Sequence, residues 1–356
     1  MKLFDYKRLI LFFAGIVVLI TFCFAYLLFF PNIAGKNGKD TFICIYDTDN
    51  YDSVIVKLQQ KNMLRNKTSF DLAARLIDYP NNVKPGCYLL KHNMGNLRLL
   101  HRLKNYRQTP VHFTFNNLRT KEQFAERVAE QLEMDATALL LLLNNDSILN
   151  EYDFNKENVS AMFIPNTYEM YWDILPVRFL DKMHDEYKKF WNKKRCEKAA
   201  QTGLTPIEVI ILASIVEEES NKRSEKPVIA GLYINRLIKG MPLQADPTVK
   251  FALGNFSLKR VYNVRSVDSP YNTYLYAGLP PGPIRIPSIE SIEAVLNYDH
   301  HNYIFMCAKD DFSGGHAFST NLAEHERNRA KYINALNERG IGVKNAISKD
   351  SLLIEE

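Results

Sequence analysis

The chain has 356 residues, 46% of them hydrophobic and 24% charged, with a formal net charge of +5. That length leaves room for two or three domains, and that composition excludes long disordered stretches. The charge is weak and evenly spread, so nucleic acid is not an expected partner; it suits a surface that meets an acidic polymer, but solubility alone also accounts for it.

Residues 1–8 carry Lys2, Lys7 and Arg8 against Asp5 alone. From Leu9 to Phe30 no residue is charged, and nearly all are Leu, Ile, Val, Phe or Ala. Roughly 20 apolar residues cross the hydrocarbon core as a helix. A secretory leader has a shorter run and a small-residue cleavage site, whereas this run ends in Phe29-Phe30-Pro31. The segment is therefore expected to span a membrane once. The positive flank puts the N-terminus in the cytoplasm and everything after Pro31 outside. Leu139–Leu143 is too short to span again.

Cys23 falls in the span; Cys44, Cys87, Cys196 and Cys307 follow it. In an oxidising compartment these four can form disulfides, but their spacing neither pairs them nor suggests a metal site. The reading favoured here is buried free thiols.

Ile33–Lys39 reads as a short linker. Phe42–Tyr46 is expected as a strand. Val54, Leu58 and Met63 suggest a helix, and Phe70, Leu72, Ala73, Leu76 and Ile77 another. Pro85-Gly86 turns the chain into a strand at Cys87–Leu90, and Leu97, Leu100 and Leu103 mark a further helix. These elements make an α+β unit over residues 40–105. Val111–Phe115 alternates as a strand does. Thr120 and Gln123 form a capping-box pattern before Phe124, Val128 and Leu132, the apolar face of a helix. Ala136–Leu143 is another helix. Met162–Trp172, with Pro165 and four aromatics, reads as irregular. Phe179–Ala200 reads as a charged, solvated connector helix. Residues 106–204 are taken together as a connector, 205–338 as the catalytic domain, and 339–356 as a flexible tail.

Thr205, Pro206 and Glu208 open a helix with an N-cap, a first-turn proline and a capping box. Ile207 to Val216 is apolar on every side except at Glu208 and Ser214, so this helix belongs in a core. It runs into Glu217-Glu218-Glu219. Glu217 continues the stripe of Ile210 and Ala213. The helix's negative end, the neighbouring carboxylates and burial would all raise its pKa toward general-acid use. The alternative is a helix that simply emerges into water there.

The runs LASIVEEES (Leu212–Ser220), YINRL (Tyr233–Leu237), LQADPTV (Leu243–Val249), SPYNTY (Ser269–Tyr274), GLPPGPI (Gly278–Ile284) and GGHAFSTNLAEH (Gly314–His325) together resemble MltG-type (YceG-like) endolytic murein lytic transglycosylases. IPNTYEM (Ile164–Met170) resembles the family's Pro-x-Thr-Tyr segment, although Ser160-Ala161 stands where the family has Glu-Gly. Residues 40–105 resemble its LysM-like subdomain.

The resemblance implies an α+β protein: one transmembrane helix, a LysM-like subdomain and a mixed α+β catalytic domain. It implies non-hydrolytic cleavage of the MurNAc–GlcNAc bond of peptidoglycan to 1,6-anhydro-MurNAc ends, on nascent strands whose elongation this would terminate. Glu217 takes the acid/base position, Glu219 that of a candidate secondary acid and Glu218 the variable position between them. Gln244, Asp246, Thr248, Tyr271, Asn272, Tyr274, His316 and Asn321 are the expected substrate-binding residues. No cofactor or metal is expected; His300-His301 and His316 are too far apart to read as a metal motif. Expected partners are glycan strands, the cytoplasmic membrane and peptidoglycan synthases. Two other classes stay open: a non-catalytic peptidoglycan-binding membrane scaffold, and a metal-dependent wall amidase or peptidase.

Overall fold

The computed structural model describes residues 2–35, 38–258 and 261–340, so the expected flexible tail lies outside the described residues from 341 onward. The chain is mixed α+β and divides into two compact units. The first comprises residues 1–113, 128–134 and 167–175; the second comprises 114–127, 135–166 and the chain from 176 onward. Residues 106–204 are divided between them.

The first unit opens with α1 (Lys2–Phe29). Among the described residues it is the one unbroken helix long and apolar enough to cross a membrane. From Leu9 to Phe24 its large apolar side chains are mostly exposed, as a lipid-facing helix requires. Its last turn is different: Leu27 and Leu28 pack on the unit's core. That core lies between β1 (Thr41–Ile45), α2 (Tyr51–Gln60), α3 (Lys67–Leu76), β2 (Gly86–Leu90) and α4 (Asn96–Lys104). Asn50 and Asn66 cap α2 and α3 by accepting from the Ser53 and Ser69 amides. Met63 is buried but lies beyond α2, because Asn62 adopts φ 49° and ends the helical path.

The expected linker Ile33–Lys39 starts packed into this unit, while its Lys36 and Asn37 lie outside the described residues. Ile33 is fully buried, its amide donates to the Met94 carbonyl, and its carbonyl accepts from Asn93. Asn32 donates to Asn96 Oδ1 and the Asn66 carbonyl, and accepts from the Asn66 amide. Asn96 in turn donates to the Leu27 carbonyl. A buried amide network of this kind stays fixed because each unpaired group would be costly.

The cysteine reading also needs correction. β1 and β2 pair antiparallel with Cys44 opposite Cys87, Cα atoms 4.1 Å apart, and the two are joined as a disulfide. Two cysteines facing each other at the narrow spacing of an antiparallel ladder are in bridging range; sequence separation conceals that register. Cys23 and Cys196 are free and exposed, and Cys307 is free and half-buried. Closing so long a loop stabilises by about 2–4 kcal/mol. Replacing both cysteines by serine should lower stability by that amount, and a reducing agent should lower the parent chain's melting temperature but not the variant's.

Next come β3 (Val111–Thr114), α5 (Lys121–Gln131), α6 (Ala136–Leu143), the short α7 (Asp146–Leu149) and β4 (Thr167–Met170). β4 pairs with β3, so the stretch expected to be irregular contains a strand. At the start of α5, Thr120 accepts from the Gln123 amide, but Gln123 reaches back to the Arg119 amide, one residue earlier than in a capping box.

In the second unit the expected single connector helix is two helices, α8 (Pro176–Phe190) and α9 (Lys193–Thr202). Asn192 breaks the run and caps α9 by accepting from Arg195. Phe179, Leu180 and Met183 are buried, so α8 is not a solvated spacer. Then follow α10 (Pro206–Glu219), α11 (Lys226–Ile238), α12 (Asp246–Ala252), α13 (Ile289–Leu296), the antiparallel pair β5 (Phe305–Ala308) and β6 (His316–Ser319), and α14 (Leu322–Glu338). The capping box of α10 is formed as expected, and Val209 through Val216 are all buried. α10 packs against α11 and α13, which places its C-terminal carboxylates inside the unit.

Candidate active site

Successive residues of a helix point about 100° apart, so the three carboxylates of α10 enter three surroundings. Glu217 and Glu219, two positions apart, cannot share a face.

Glu217 is held on all sides. Its Oε2 accepts from Ser288 Oγ at 2.5 Å, from Ser291 Oγ, from the Ser288 amide at 3.3 Å and from Lys226 Nζ at 3.4 Å. Oε1 accepts from Asn117 Nδ2 at 3.1 Å. The Lys226 and Glu217 side chains are only 7% and 10% exposed. Burial pushes the carboxyl up, but the two serine hydroxyls and the charges of Lys226 and Arg285 outweigh it and hold the pKa down to about 2. That reverses the expectation of a raised Glu217. Hydrogen bonds donated to a carboxylate favour its charged form, and the serines that donate them come from α13 and its cap, far away in sequence.

Glu218 takes a bidentate bridge from Arg119, at 3.0 and 3.1 Å, and a second contact from Arg285. Arg285 also donates to the Asn117 carbonyl at 2.8 Å. Glu218 thus ties segment 117–119 and the loop before α13 to α10.

Glu219 faces a polar cavity of about 680 Å³ in the second unit, within the size range of a ligand site. Its Oε1 accepts from the Tyr233 hydroxyl at 2.7 Å. Burial raises its pKa against the opposing Tyr233 hydrogen bond and His316 charge. Burial thus favours the protonated form of Glu219.

Four of the expected binding residues share that cavity: Gln244, Asp246, Tyr274 and His316. Tyr274 donates to Asp246 at 2.5 Å, and Arg265 lies over its ring, 4.4 Å from the centroid. The His316 Nδ1 and amide lie 3.0 and 2.9 Å from the two oxygens of Glu225. Gln244 adopts φ 53°, a left-handed conformation unusual for a side-chain-bearing residue and of a kind that clusters at functional sites. Its amide donates to the Thr273 carbonyl, and its Oε1 accepts from Arg236.

The other four stand elsewhere. Thr248 is fully buried and donates to the Ala245 carbonyl, with Thr273 Oγ1 at 2.8 Å. Asn272 is fully buried; it donates to the Arg265 and Val267 carbonyls and accepts from the Tyr274 amide. Both shape the loops behind the cavity. Asn321 caps α14 by accepting from the Glu324 amide. Tyr271 lines a separate cavity with Phe251, Phe256 and Arg119.

Sequence reasoning missed Tyr233, Arg236, Lys226, Ser288 and Ser291. Tyr233 and Arg236 stood in the YINRL run, three residues apart and so on one face of α11. The serines gave no signal beyond that of an ordinary cap.

The end of this core helix thus presents one carboxyl to a polar cavity and holds another in a full set of hydrogen bonds, and this pair marks the candidate site. The comparisons agree on the chain's kin. The model of the YceG-like family matches residues 43–331, and the chain belongs to that family. An endolytic murein transglycosylase of Bacillus subtilis is 40% identical over 131 residues, 37% of this chain and 36% of that protein. Another, from Streptococcus pneumoniae, is 26% identical over 334 residues, covering 85% of this chain and 60% of that one. The match thus spans less than two thirds of either relative. The crystal structure of a YceG-like protein from Listeria monocytogenes superposes with a TM-score of 0.54 at 26% identity, over 81% of this chain and 98% of that one.

Proposed function

We propose that the chain is a membrane-anchored endolytic lytic transglycosylase that cleaves the MurNAc–GlcNAc bond of peptidoglycan, with Glu219 as its acid/base group. The observation that carries this reading is the Glu219 carboxyl, raised by burial and set in the wall of the polar cavity beside Tyr233. The relatives' names supply the substrate class.

In the reaction, the Glu219 carboxyl donates its proton to the leaving GlcNAc oxygen as the glycosidic bond breaks. The carboxylate so formed takes the proton of the muramic C6 hydroxyl as that oxygen closes on the anomeric carbon. No water is consumed and the acid is regenerated. One carboxyl serves both steps, unlike the paired carboxylates of glycoside hydrolases. The Tyr233 hydroxyl favours the charged form between them. Gln244, Asp246, Tyr274 and His316 orient the sugars, with Thr248, Asn272 and Asn321 holding the segments that bear them. Glu217, the sequence-based choice, is a positioning residue in this reading.

The first unit supplies the anchor and, over residues 40–105, a LysM-like subdomain that guides the strand. α1 is read as a single pass through the cytoplasmic membrane with the remainder outside. The Cys44–Cys87 disulfide suits an oxidising compartment. Cleavage there would terminate elongation of nascent strands, with peptidoglycan synthases as neighbours.

Mass spectrometry of products from purified peptidoglycan tests the reaction: anhydro-muropeptides are expected, and reducing ends or no products would refute it. The anchor has its own consequence. Because α1 is seated directly on its unit, the height of that unit above the membrane is fixed, and tethering raises local substrate concentration. The full chain in membranes should give a narrower product-length distribution from lipid-linked glycan than a chain beginning at Phe30. Equal distributions would reduce the anchor to localisation alone.

A further inference from the structure

A second cavity, of about 650 Å³, opens in the first unit where α1 meets α4. Leu28, Phe29, Met94 and Leu97 give it an apolar lining. Arg98, Arg102 and Arg107 also line it, and among the described residues no acidic one does. Arg102 is tied back to the Leu89 carbonyl at 3.0 Å. Arg98 and Arg107 are exposed and, among the described residues, bond to no carboxylate. Arginines without a carboxylate partner that line one cavity together with apolar side chains are suited to an anion attached to a greasy body, because the guanidinium fork matches phosphate oxygens.

Its position says which body. α1 is apolar up to Phe29, so the cavity lies at the level where hydrocarbon gives way to headgroups. Tyr26 and Phe30 stack there, 4.5 Å between centroids, both half exposed, as aromatics do at a membrane interface. The placement is rigid: Pro31 bridges Gly95, and a Cβ on Gly95 would meet the Phe29 carbonyl oxygen at 2.7 Å, so the chain packs there without a side chain.

We infer that this cavity binds the phosphate of an anionic membrane phospholipid, its acyl chains lying along α1 and its phosphate between Arg98 and Arg107. The inference rests on the reading of α1 as a membrane span. A lipid held there would fix the rotation of the unit about the membrane normal, which a single helix leaves free.

The full chain in a neutral detergent, titrated with dioctanoyl phosphatidylglycerol, dioctanoyl phosphatidylcholine and geranylgeranyl diphosphate, tests it. Phosphatidylglycerol should bind saturably and more tightly than phosphatidylcholine. In R98Q/R107Q its Kd should rise about 25-fold, roughly fivefold for each basic residue removed at the surface. An unchanged melting temperature would show that the variant is folded, as expected for two side chains that support nothing in the fold. Equal affinity for the two phospholipids, or an unchanged Kd in the folded variant, overturns the proposal. So does binding of the diphosphate without phosphatidylglycerol, which would assign the cavity to a diphosphate-linked lipid. Alkaline carbonate extraction of cell membranes separately tests whether α1 is integral, so failure of the anchor and failure of the lipid site are told apart.

Discussion

Replacing Glu219 by glutamine should lower release of anhydro-ended products by about 10²–10⁴-fold, the usual contribution of a positioned general acid/base, with the melting temperature little changed. The substitution keeps the shape and can keep the contact with Tyr233 Oη, but removes the transferable proton. Glu217→Gln should behave differently. It weakens the anchoring of α13 and removes one of the two carboxylates that face Lys226, the other being Glu290 at 3.3 Å. A loss of about 1–3 kcal/mol in stability is expected, with turnover less affected than in Glu219→Gln. The two acids also differ in pH response. Glu219 has a raised pKa, so its acid form, and with it the protonation step, is lost as pH rises through that folded value; the stability it contributes is present below its unfolded pKa and lost over the same rise. Glu217 has a depressed pKa, so its contribution to stability is present above the ordinary glutamate range and is lost as pH falls toward about 2. Measuring product release and thermal unfolding on both variants across pH separates the roles. Near-normal turnover in Glu219→Gln, with loss in Glu217→Gln, would return the proton transfer to Glu217.

The helix that bears these acids was legible because its signals are local. A capping box, a first-turn proline and an all-round apolar run are read within a few turns, and α10 formed as they dictate. β1, β2 and α6 were equally legible, whereas β4 fell in a stretch expected to be irregular. What stayed hidden was non-local. Glu217 was read from its stripe on α10, but its titration is set by Ser288 and Ser291, more than seventy positions downstream. The disulfide depends on register between β1 and β2, which no spacing of cysteines reveals. The polar, Gly-containing run after Pro31 looked like a linker because its buried partners, Asn66, Met94 and Asn96, arrive from later elements. Among the motif residues, side-chain type gave no way to separate those that face the cavity from those, such as Asn272 and Thr248, that satisfy buried backbone behind it.

Arg236→Met should destabilise the second unit by about 3–5 kcal/mol, the cost of breaking a buried charged network by removing one member. Arg236 is 6% exposed. Its Nε donates to the Ile304 carbonyl at 2.6 Å, and its Nη1 to the Pro242 and Leu243 carbonyls and Gln244 Oε1 at 3.1, 3.0 and 3.2 Å. Methionine fills much of the volume but leaves these acceptors facing an apolar group, each a penalty of about 1–3 kcal/mol unless water reaches it. The same bonds fix the turn in which Gln244 holds its left-handed backbone, so Gln244 and Asp246 should lose their places at the cavity wall and activity should fall with stability. Arg236→Lys should rescue little, because an ammonium cannot reproduce the planar fork that reaches both the strand side at Ile304 and the turn at 242–244. Against a typical total of about 5–15 kcal/mol, the methionine variant should show a large drop in urea midpoint. A drop below about 1 kcal/mol would mean that water enters from the cavity and satisfies the freed carbonyls. In that case Gln244 would owe its conformation to the Thr273 contact alone, and Gln244→Gly, which relieves a left-handed backbone, should then stabilise the chain rather than leave it unchanged.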